Sequence, residues 1–192
     1  LILKNEFLDF ISLGAYDLSV DLGFPGDIFC VEIKEKLIYV NGLAKKNSKK
    51  VIMFAEDVAA SGGYLISCAG DEIYANKSSI IGSIGVIYSS FGFKDLINKI
   101  GVQRRVYTAG KNKSTLDPFL DEKSEDIERL KKIQLDLHED FIKVVENSRS
   151  KKLNRDSGVE LFSGEFWSGK KALELGLIDG IGNCLLYTSD AA

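Results

Sequence analysis

The sequence predicts an α/β domain whose strands and helices form layers around one core, with a long helix toward the C-terminal end. Short β-branched apolar runs alternate with segments in which apolar residues recur at helical spacing. Strands that alternate with helices usually pack as such layers. A chain of 192 residues, 45% of them apolar, can bury one substantial core. We therefore expect a single domain over residues 1–183.

Helical patterns occur at several places along the chain. The first predicted helix starts at Asp27, a residue type that often caps helix N-termini. Apolar residues recur at helical spacing from there up to Lys45 and Lys46, where the helix is expected to end. The longest covers Ser124–Arg149 and begins with acidic residues that suit the helix dipole. Its apolar stripe is typical of a packing or subunit face. Shorter helices are predicted over residues 62–69, 93–100 and 167–175.

The strands are predicted from short runs rich in apolar and β-branched residues. Four such runs cover residues 50–55, 72–75, 84–88 and 103–108. The segment 109–121 has no periodicity, which is typical of a mobile or functional loop, and residues 150–160 are a polar linker. Loops at strand ends carry the active sites of many α/β domains, so a functional site is expected there.

Charge and composition restrict the classes of partner. The net charge of −3 and the scattered lysine clusters give no reason to expect nucleic acid. No segment has the length of a membrane span or the form of a signal peptide, so membrane association would need a segment upstream of Leu1. Cys30, Cys68 and Cys184 are widely spaced and odd in number, which argues against a disulfide framework or a zinc site. We expect Cys68 to be packed and inert.

The stretch DVAASGGY, residues 57–64, places a serine where a buried strand gives way to a helix. Ser61 follows two alanines and precedes Gly62 and Gly63, so a substrate backbone can approach its hydroxyl closely. Free N–H groups and the positive end of the helix dipole meet at this point, and both favour an oxyanion beside the serine. Two interpretations are open. Ser61 is a nucleophile, or it is a helix N-cap followed by glycines that serve packing.

A nucleophilic serine needs a base, and two kinds are available in this chain. The single histidine, His138, lies in the middle of the long helix beside acidic residues, a position where histidine is more often exposed than catalytic. A lysine acts as a base only when neutral, which requires burial. Lowering a lysine pKa from about 10.4 to about 7 costs roughly 4.6 kcal/mol. The loop 109–121 carries Lys111 and Lys113 together with residues able to dock it: Leu116, Pro118, Phe119 and Leu120.

Four motifs, in this order and spacing, closely resemble the signal peptide peptidase A (protease IV) family of serine peptidases. They are DVAASGGY, GSIGVI, GKNKS followed by DPF, and FSGEFWSGKKALELGLIDGIG. The resemblance covers roughly residues 45–182. It implies a Clp protease/crotonase-like α/β fold and a serine–lysine dyad that requires neither a metal nor a cofactor. The tail, residues 184–192, lies outside the family pattern.

The resemblance also implies roles for individual residues. It places the nucleophile at Ser61 and the general base at Lys113, whereas the sequence alone would not choose between Lys113 and Lys111. Ser83, in GSIG, falls where the family keeps a small hydroxyl near the dyad. There Ser83 could accept a hydrogen bond from the lysine and orient it. The alternative, held equal, is that Ser83 is only a structural residue in a turn between two glycines.

The oxyanion hole that the resemblance implies uses the Gly62 backbone N–H. In relatives a second donor comes from a Ser-Pro-Gly-Gly turn, and the candidate here is Gly26 in the segment FPGD. That segment lacks the second glycine, and no β-branched strand precedes it. Either part of the catalytic frame has been lost, or residues 1–40 are truncated or misread.

The partners implied by the resemblance are peptides or proteins with small or apolar side chains near the cleaved bond, such as signal-peptide remnants or unfolded segments. In single-domain relatives neighbouring subunits of a ring complete the dyad, so the resemblance also implies a homo-oligomeric ring. A dyad formed within one chain stays open as the alternative. Bacterial-type membrane-associated and cytoplasmic locations are both open.

Two other functions are weighed: a catalytically inactive ring subunit that binds peptides, and an acyl-CoA enzyme of the crotonase branch, which would not need a lysine after such a loop.

Overall fold

The computed structural model describes residues 21–23 and 31–185 of the chain. Its α-helices in that part are α1 (Val31–Lys46), α2 (Gly62–Ser67), α3 (Lys94–Lys99), α4 (Ser124–Arg149) and α5 (Gly169–Glu174). Its strands are β1 (Ile52–Ala55), β2 (Val58–Ala60), β3 (Glu72–Ala75), β4 (Ile80–Gly82), β5 (Phe166–Ser168) and β6 (Gly180–Ile181). A 3₁₀ turn, Arg155–Ser157, follows α4.

The strands form two three-stranded sheets. The first has the order β1-β3-β6 and is wholly parallel. The second has the order β2-β4-β5, with β2 and β4 parallel and β5 antiparallel to β4. In the second sheet Ala60 pairs with Gly82. Because parallel strands end at the same edge of a sheet, the chain leaves β2 and β4 side by side, at Ser61 and Ser83.

The core lies where both sheets meet α2, α5 and the C-terminal half of α4. Ile73 of β3 and Ile81 of β4 are fully buried, and α4 contributes Phe141 and Val145. The apolar stripe of α4 does not stay buried along its whole length, since Leu137 is 53% exposed. Only the C-terminal half of the predicted apolar stripe of α4 therefore packs against the core.

A buried ion pair fastens the end of α4 to the C-terminal segment. The Arg149 side chain is 1% exposed and donates to the carbonyl oxygen of Gly176 over 3.1 Å and to the Asp179 carboxylate over 2.5 Å. Asp179 also accepts hydrogen bonds from the Ile73 N–H, over 2.8 Å, and from Lys152. Burial alone would raise the pKa of Asp179, but these hydrogen bonds outweigh it and hold that pKa below its usual value.

The predicted α/β class with a long helix is confirmed by these elements. Ser124–Arg149 and Glu72–Ala75 have the predicted bounds, and α2, α3 and α5 lie within the predicted helices. The first helix is described from Val31 onward, and its predicted start at Asp27 lies outside the described residues.

The strands predicted over residues 84–88 and 103–108 are wrong. Neither segment is assigned to a strand, and their side chains are largely exposed apart from Ile84. The strand lies earlier, at Ile80–Gly82, because Gly82 and Ser83 have φ angles of +108° and +52° that turn the chain away from β2. A β-branched run forms a strand only where a partner strand is available, so composition alone misplaced these elements.

Candidate active site

Ser61 joins β2 to α2 in a backbone conformation that residues other than glycine rarely adopt, with φ 52° and ψ −122°. Its N–H donates to the carbonyl oxygen of Gly82 over 2.8 Å, and its own carbonyl oxygen accepts from the Leu65 N–H over 3.0 Å. The residue is exposed, as is Gly62 after it. The backbone bonds therefore hold the serine in a sharp turn with its side chain accessible.

The N-cap interpretation of Ser61 is not supported by this geometry. A capping serine accepts a hydrogen bond from the second or third N–H of its helix, and the Ser61 hydroxyl makes no such bond. The interpretation that the two glycines are needed for close packing is not supported either, because a Cβ built on Gly62 or Gly63 would meet nothing within 4 Å. The hydroxyl and the two glycines thus face open space that a substrate can enter.

A groove of about 450 Å³ opens beside Ser61. Its residues come from the α2 start, the segment after β4, and α4: Ser61, Gly62, Leu65, Gly85, Val86, Ile87, Leu137, Asp140, Phe141 and Val144. Most of these side chains are apolar, and Asp140 is the charged exception. The groove therefore presents a mostly apolar surface beside the serine.

Ser83 stands next to Ser61 because each follows one member of the Ala60–Gly82 pair. Its N–H donates to the carbonyl oxygen of Glu165 over 2.7 Å, and its φ is +52°. A Cβ on Gly82 would lie 2.8 Å from the Trp167 ring. Glycine is therefore required at position 82, and the GSIG and GEFW motifs pack directly against one another.

α2 is anchored from behind by Tyr64, which is fully buried. The Tyr64 hydroxyl donates to the carbonyl oxygen of Leu177 over 2.7 Å, and burial raises the Tyr64 pKa far above its usual value. A six-residue helix has little stability of its own, so this anchor fixes where its first N–H groups point. The first helical residue is Gly62, whose N–H has no partner one turn earlier within the helix.

Lys113 is not among the residues that line the groove. Its side chain is exposed, on a series of turns where its N–H donates to the Gly110 carbonyl oxygen over 3.2 Å. The rest of the loop docks as the sequence predicts. The Pro118 carbonyl oxygen accepts from the Phe93 N–H over 2.6 Å, and the rings of Phe93 and Phe119 lie 5.6 Å apart. A single chain thus brings Ser61, Gly62 and Ser83 together and leaves Lys113 on its surface.

The remaining candidate residues have different positions. Gly26, the candidate second oxyanion donor, lies outside the described residues. His138 is half-buried rather than exposed, and its Nε2 lies 3.1 Å from the carbonyl oxygen of Ile84. Sequence reasoning missed this contact, because nothing in the sequence shows that α4 crosses the segment after β4. Among the described residues no cluster of three or more His, Cys, Asp or Glu side chains could hold a metal ion.

The model of peptidase family S49 matches residues 43–188. This match covers most of the chain, so the chain belongs to peptidase family S49. The family resemblance that four motifs predicted is thereby confirmed.

Similar proteins carry different names and are all longer. "Probable protease SohB" of Buchnera aphidicola subsp. Schlechtendalia chinensis is 37% identical over 72% of this chain and 44% of its own length. "Serine protease SPPA, chloroplastic" of Arabidopsis thaliana is 33% identical over 70% of this chain and 20% of its own length. "Na(+)/H(+) antiporter NhaA" of Brucella melitensis is 54% identical over 97% of this chain, but the chain spans only 24% of that protein. The chain thus spans less than half the length of each of these relatives.

The antiporter name describes the whole Brucella protein, and the part shared with it includes nearly all of the S49 match. No helix within the described ranges of the present chain is long and apolar enough to cross a membrane.

Solved structures similar to the chain come from the enoyl-CoA hydratase/isomerase group. A family protein from Silicibacter pomeroyi is 16% identical with a TM-score of 0.39, covering 87% of this chain and 52% of that one. An enoyl-CoA hydratase of Mycobacterium smegmatis is 14% identical with a TM-score of 0.36, covering 91% of this chain and 49% of that one. The α/β class is assigned from the strands and helices of the chain itself and not from its similarity to these structures.

Proposed function

We propose that this chain is a serine endopeptidase in which Ser61 is the nucleophile and Lys113 the general base. The observation that carries the proposal is the state of Ser61, which is exposed, held at φ 52°, free of any capping bond and open to an apolar groove. Strained residues of this kind cluster at functional sites, because surrounding contacts must maintain a costly conformation. Membership of a serine peptidase family supports the assignment of this residue to the chemistry.

The reaction proposed is acyl transfer to water. The neutral amine of Lys113 accepts the Ser61 hydroxyl proton while the hydroxyl oxygen attacks the peptide carbonyl carbon. The Gly62 N–H stabilises the resulting oxyanion, and the lysine returns the proton to the leaving amine. Water then attacks the acyl-enzyme carbonyl carbon while Lys113 accepts a proton from it, and the lysine returns that proton to the Ser61 oxygen as the acyl–serine bond breaks and the acid product leaves. Ser83, beside Ser61, would accept a hydrogen bond from the lysine and orient it.

Lys113 reaches a serine in this proposal by belonging to a neighbouring subunit. A lysine becomes a base when burial lowers its pKa, and a second chain packed over Lys113 would supply that burial. The Lys113 side chain is exposed in the single chain, so a second chain can reach it. An exposed apolar residue of the α4 stripe outside the groove, Ile133, supports a homo-oligomeric ring as the setting.

The substrates proposed are peptides or unfolded protein segments with a small or apolar residue before the cleaved bond, signal-peptide remnants among them. The apolar lining of the groove supports this preference. The second candidate is a catalytically silent subunit that binds peptides, and the exposure of Lys113 is the observation in its favour.

Labelling with a fluorophosphonate separates the two candidates. We expect the wild-type chain to be labelled at Ser61 and to hydrolyse casein without any coenzyme A, and the Ser61→Ala chain to do neither. An unlabelled wild-type chain that still binds peptides would establish the silent subunit instead. Activity that depends on an acyl-CoA would place the chain in the other branch of the fold class.

A further inference from the structure

The groove beside Ser61 has two walls that come from distant parts of the sequence. One wall is the segment after β4, with Gly85, Val86 and Ile87. The other is a face of α4, with Leu137, Asp140, Phe141 and Val144. The first wall is not part of a strand, and Ile87 is 87% exposed. Strand pairing therefore does little to fix the distance between this wall and α4. The width of the groove must be set by other contacts.

His138 makes a contact that spans the two walls. It lies on α4 beside the groove residue Leu137, and its Nε2 is 3.1 Å from the carbonyl oxygen of Ile84, the residue before Gly85. A carbonyl oxygen can only accept, so Nε2 must carry the hydrogen and donate. Both partners are sheltered, since Ile84 is fully buried and His138 is half-buried. Shelter from water strengthens such a bond and makes its loss costly.

We propose that His138 is a specificity-determining residue: its hydrogen bond to the Ile84 carbonyl sets the width of the groove and so limits the side chain accepted next to the cleaved bond. This inference rests on the proposed function, because it concerns the substrate groove of Ser61. With the bond present, the segment 84–87 is held against α4 and small side chains fit best. Without the bond, Ile84 stays in the core, but the exposed residues Val86 and Ile87 after it can move away from α4, and larger side chains gain access.

The test compares two peptides on one enzyme preparation. Acetyl-Ala-Ala-Ala-aminomethylcoumarin and acetyl-Ala-Ala-Phe-aminomethylcoumarin differ only in the residue before the cleaved bond. Their ratio of kcat/KM does not depend on the fraction of correctly folded enzyme, so a purely structural effect leaves it unchanged. We expect His138→Leu, which removes the donor, to shift this ratio toward the Phe peptide by about fivefold, as the loss of one hydrogen bond would.

Two variants serve as controls for His138→Leu. His138→Gln keeps an N–H donor at a similar reach and should retain the wild-type ratio. Glu139→Gln changes a neighbouring side chain that is 69% exposed and does not line the groove, and it should also retain that ratio. An unchanged ratio in His138→Leu, or an equal shift in His138→Gln, would overturn the inference.

Failure of the proposed function has a different signature. If the wild-type chain cleaves neither peptide, the proposed peptidase activity fails, and the same two peptides are then used as binding probes by fluorescence anisotropy. A shift of the dissociation-constant ratio toward the Phe peptide in His138→Leu would still support the role of His138 in groove width. An unshifted ratio, or no binding of either peptide, would refute that role.

Discussion

Ser61 donates its backbone N–H to the carbonyl oxygen of Gly82 over 2.8 Å. The bond joins the ends of two parallel strands and places Ser61 beside Ser83, and both serines have φ angles near +52°. Such conformations cost on the order of 1–3 kcal/mol each, and they persist only when neighbouring contacts hold them. Here the contacts come from β4, from the GEFW segment and from the buried anchor of α2.

The first prediction separates catalysis from helix capping. Ser61→Ala should lower peptide hydrolysis by at least about 1,000-fold, because it removes the nucleophile. It should leave the free energy of unfolding almost unchanged, because the hydroxyl makes no capping bond. The matched control is Ser168→Ala, since the Ser168 hydroxyl does accept from the Lys171 N–H at the start of α5.

Ser168→Ala should cost about 1 kcal/mol of stability and leave the activity per folded molecule intact. Urea unfolding and initial rates measure both quantities. Equal destabilisation by the two substitutions would show that the Ser61 hydroxyl caps α2, as the Ser168 hydroxyl caps α5.

The second prediction concerns two glycines with opposite requirements. Gly82→Ala should destabilise the chain by about 2–4 kcal/mol, because its Cβ would lie 2.8 Å from the Trp167 ring and its φ is +108°. Gly63→Ala should stabilise the chain by up to about 1 kcal/mol, because the methyl meets nothing within 4 Å and alanine favours the helix. Denaturant unfolding of both variants checks the pair. A tolerated Gly82→Ala would contradict the packing of the GSIG motif against Trp167.

The third prediction follows from the lowered pKa of Asp179. A carboxylate whose pKa is lower in the folded state stabilises the fold above its ordinary value of 3.8, and that stability is lost as the pH falls through the folded pKa. Asp179→Asn should therefore weaken the acid dependence of the unfolding free energy. At neutral pH it should cost about 3 kcal/mol, because Arg149 stays buried without its counter-charge.

The control for Asp179 is Asp140→Asn, which breaks an ion pair with Lys143 between exposed side chains. It should cost less than about 1 kcal/mol. Urea titrations from acid to neutral pH compare the variants. Equal losses for Asp179 and Asp140 would show that the buried pair has no special role.

The fourth prediction concerns thiol reactivity. Burial raises the pKa of Cys68 to about 11, although the nearby charge of Arg149 acts in the opposite direction. At pH 8 only about one Cys68 thiol in a thousand is then the reactive thiolate. Peptide mapping after iodoacetamide treatment should find Cys184, which is exposed, alkylated long before Cys68. Similar rates for the two thiols in the folded chain would contradict the burial of Cys68.

The sequence was sufficient for elements with strong local patterns. The long helix, predicted roughly from Ser124 to Arg149, is found with those bounds, because its periodicity is long and its first turn is acidic. β2 was missed because Val58–Ala60 is a short run whose strand conformation depends on pairing with β4. The runs 84–88 and 103–108 failed for the converse reason, since they have strand composition and pair with no strand among residues 21–23 and 31–185.

The exposure of Ser61 could be predicted from the sequence, but the arrangement of the residues around it could not. Small residues around Ser61 indicated an accessible hydroxyl, and the structure agrees. The adjacency of Ser61 and Ser83 depends on the register of β2 and β4, and the contact of His138 with Ile84 depends on the course of α4. Neither relationship has a local signal, so only the folded chain reveals them. The predicted roles of all five candidate residues stay predictions: Ser61, Gly62, Ser83, Lys113 and Gly26.

The most direct test of the dyad is a mixture of two inactive variants. Ser61→Ala and Lys113→Ala chains are each inactive alone in our account. Combined in equal amounts under conditions where subunits exchange, they should regain about a quarter of wild-type peptidase activity, since one junction in four of a cyclic ring pairs an intact serine with an intact lysine. A mixture as inactive as its parents, in rings proven by mass to contain both chains, would contradict a site shared between subunits.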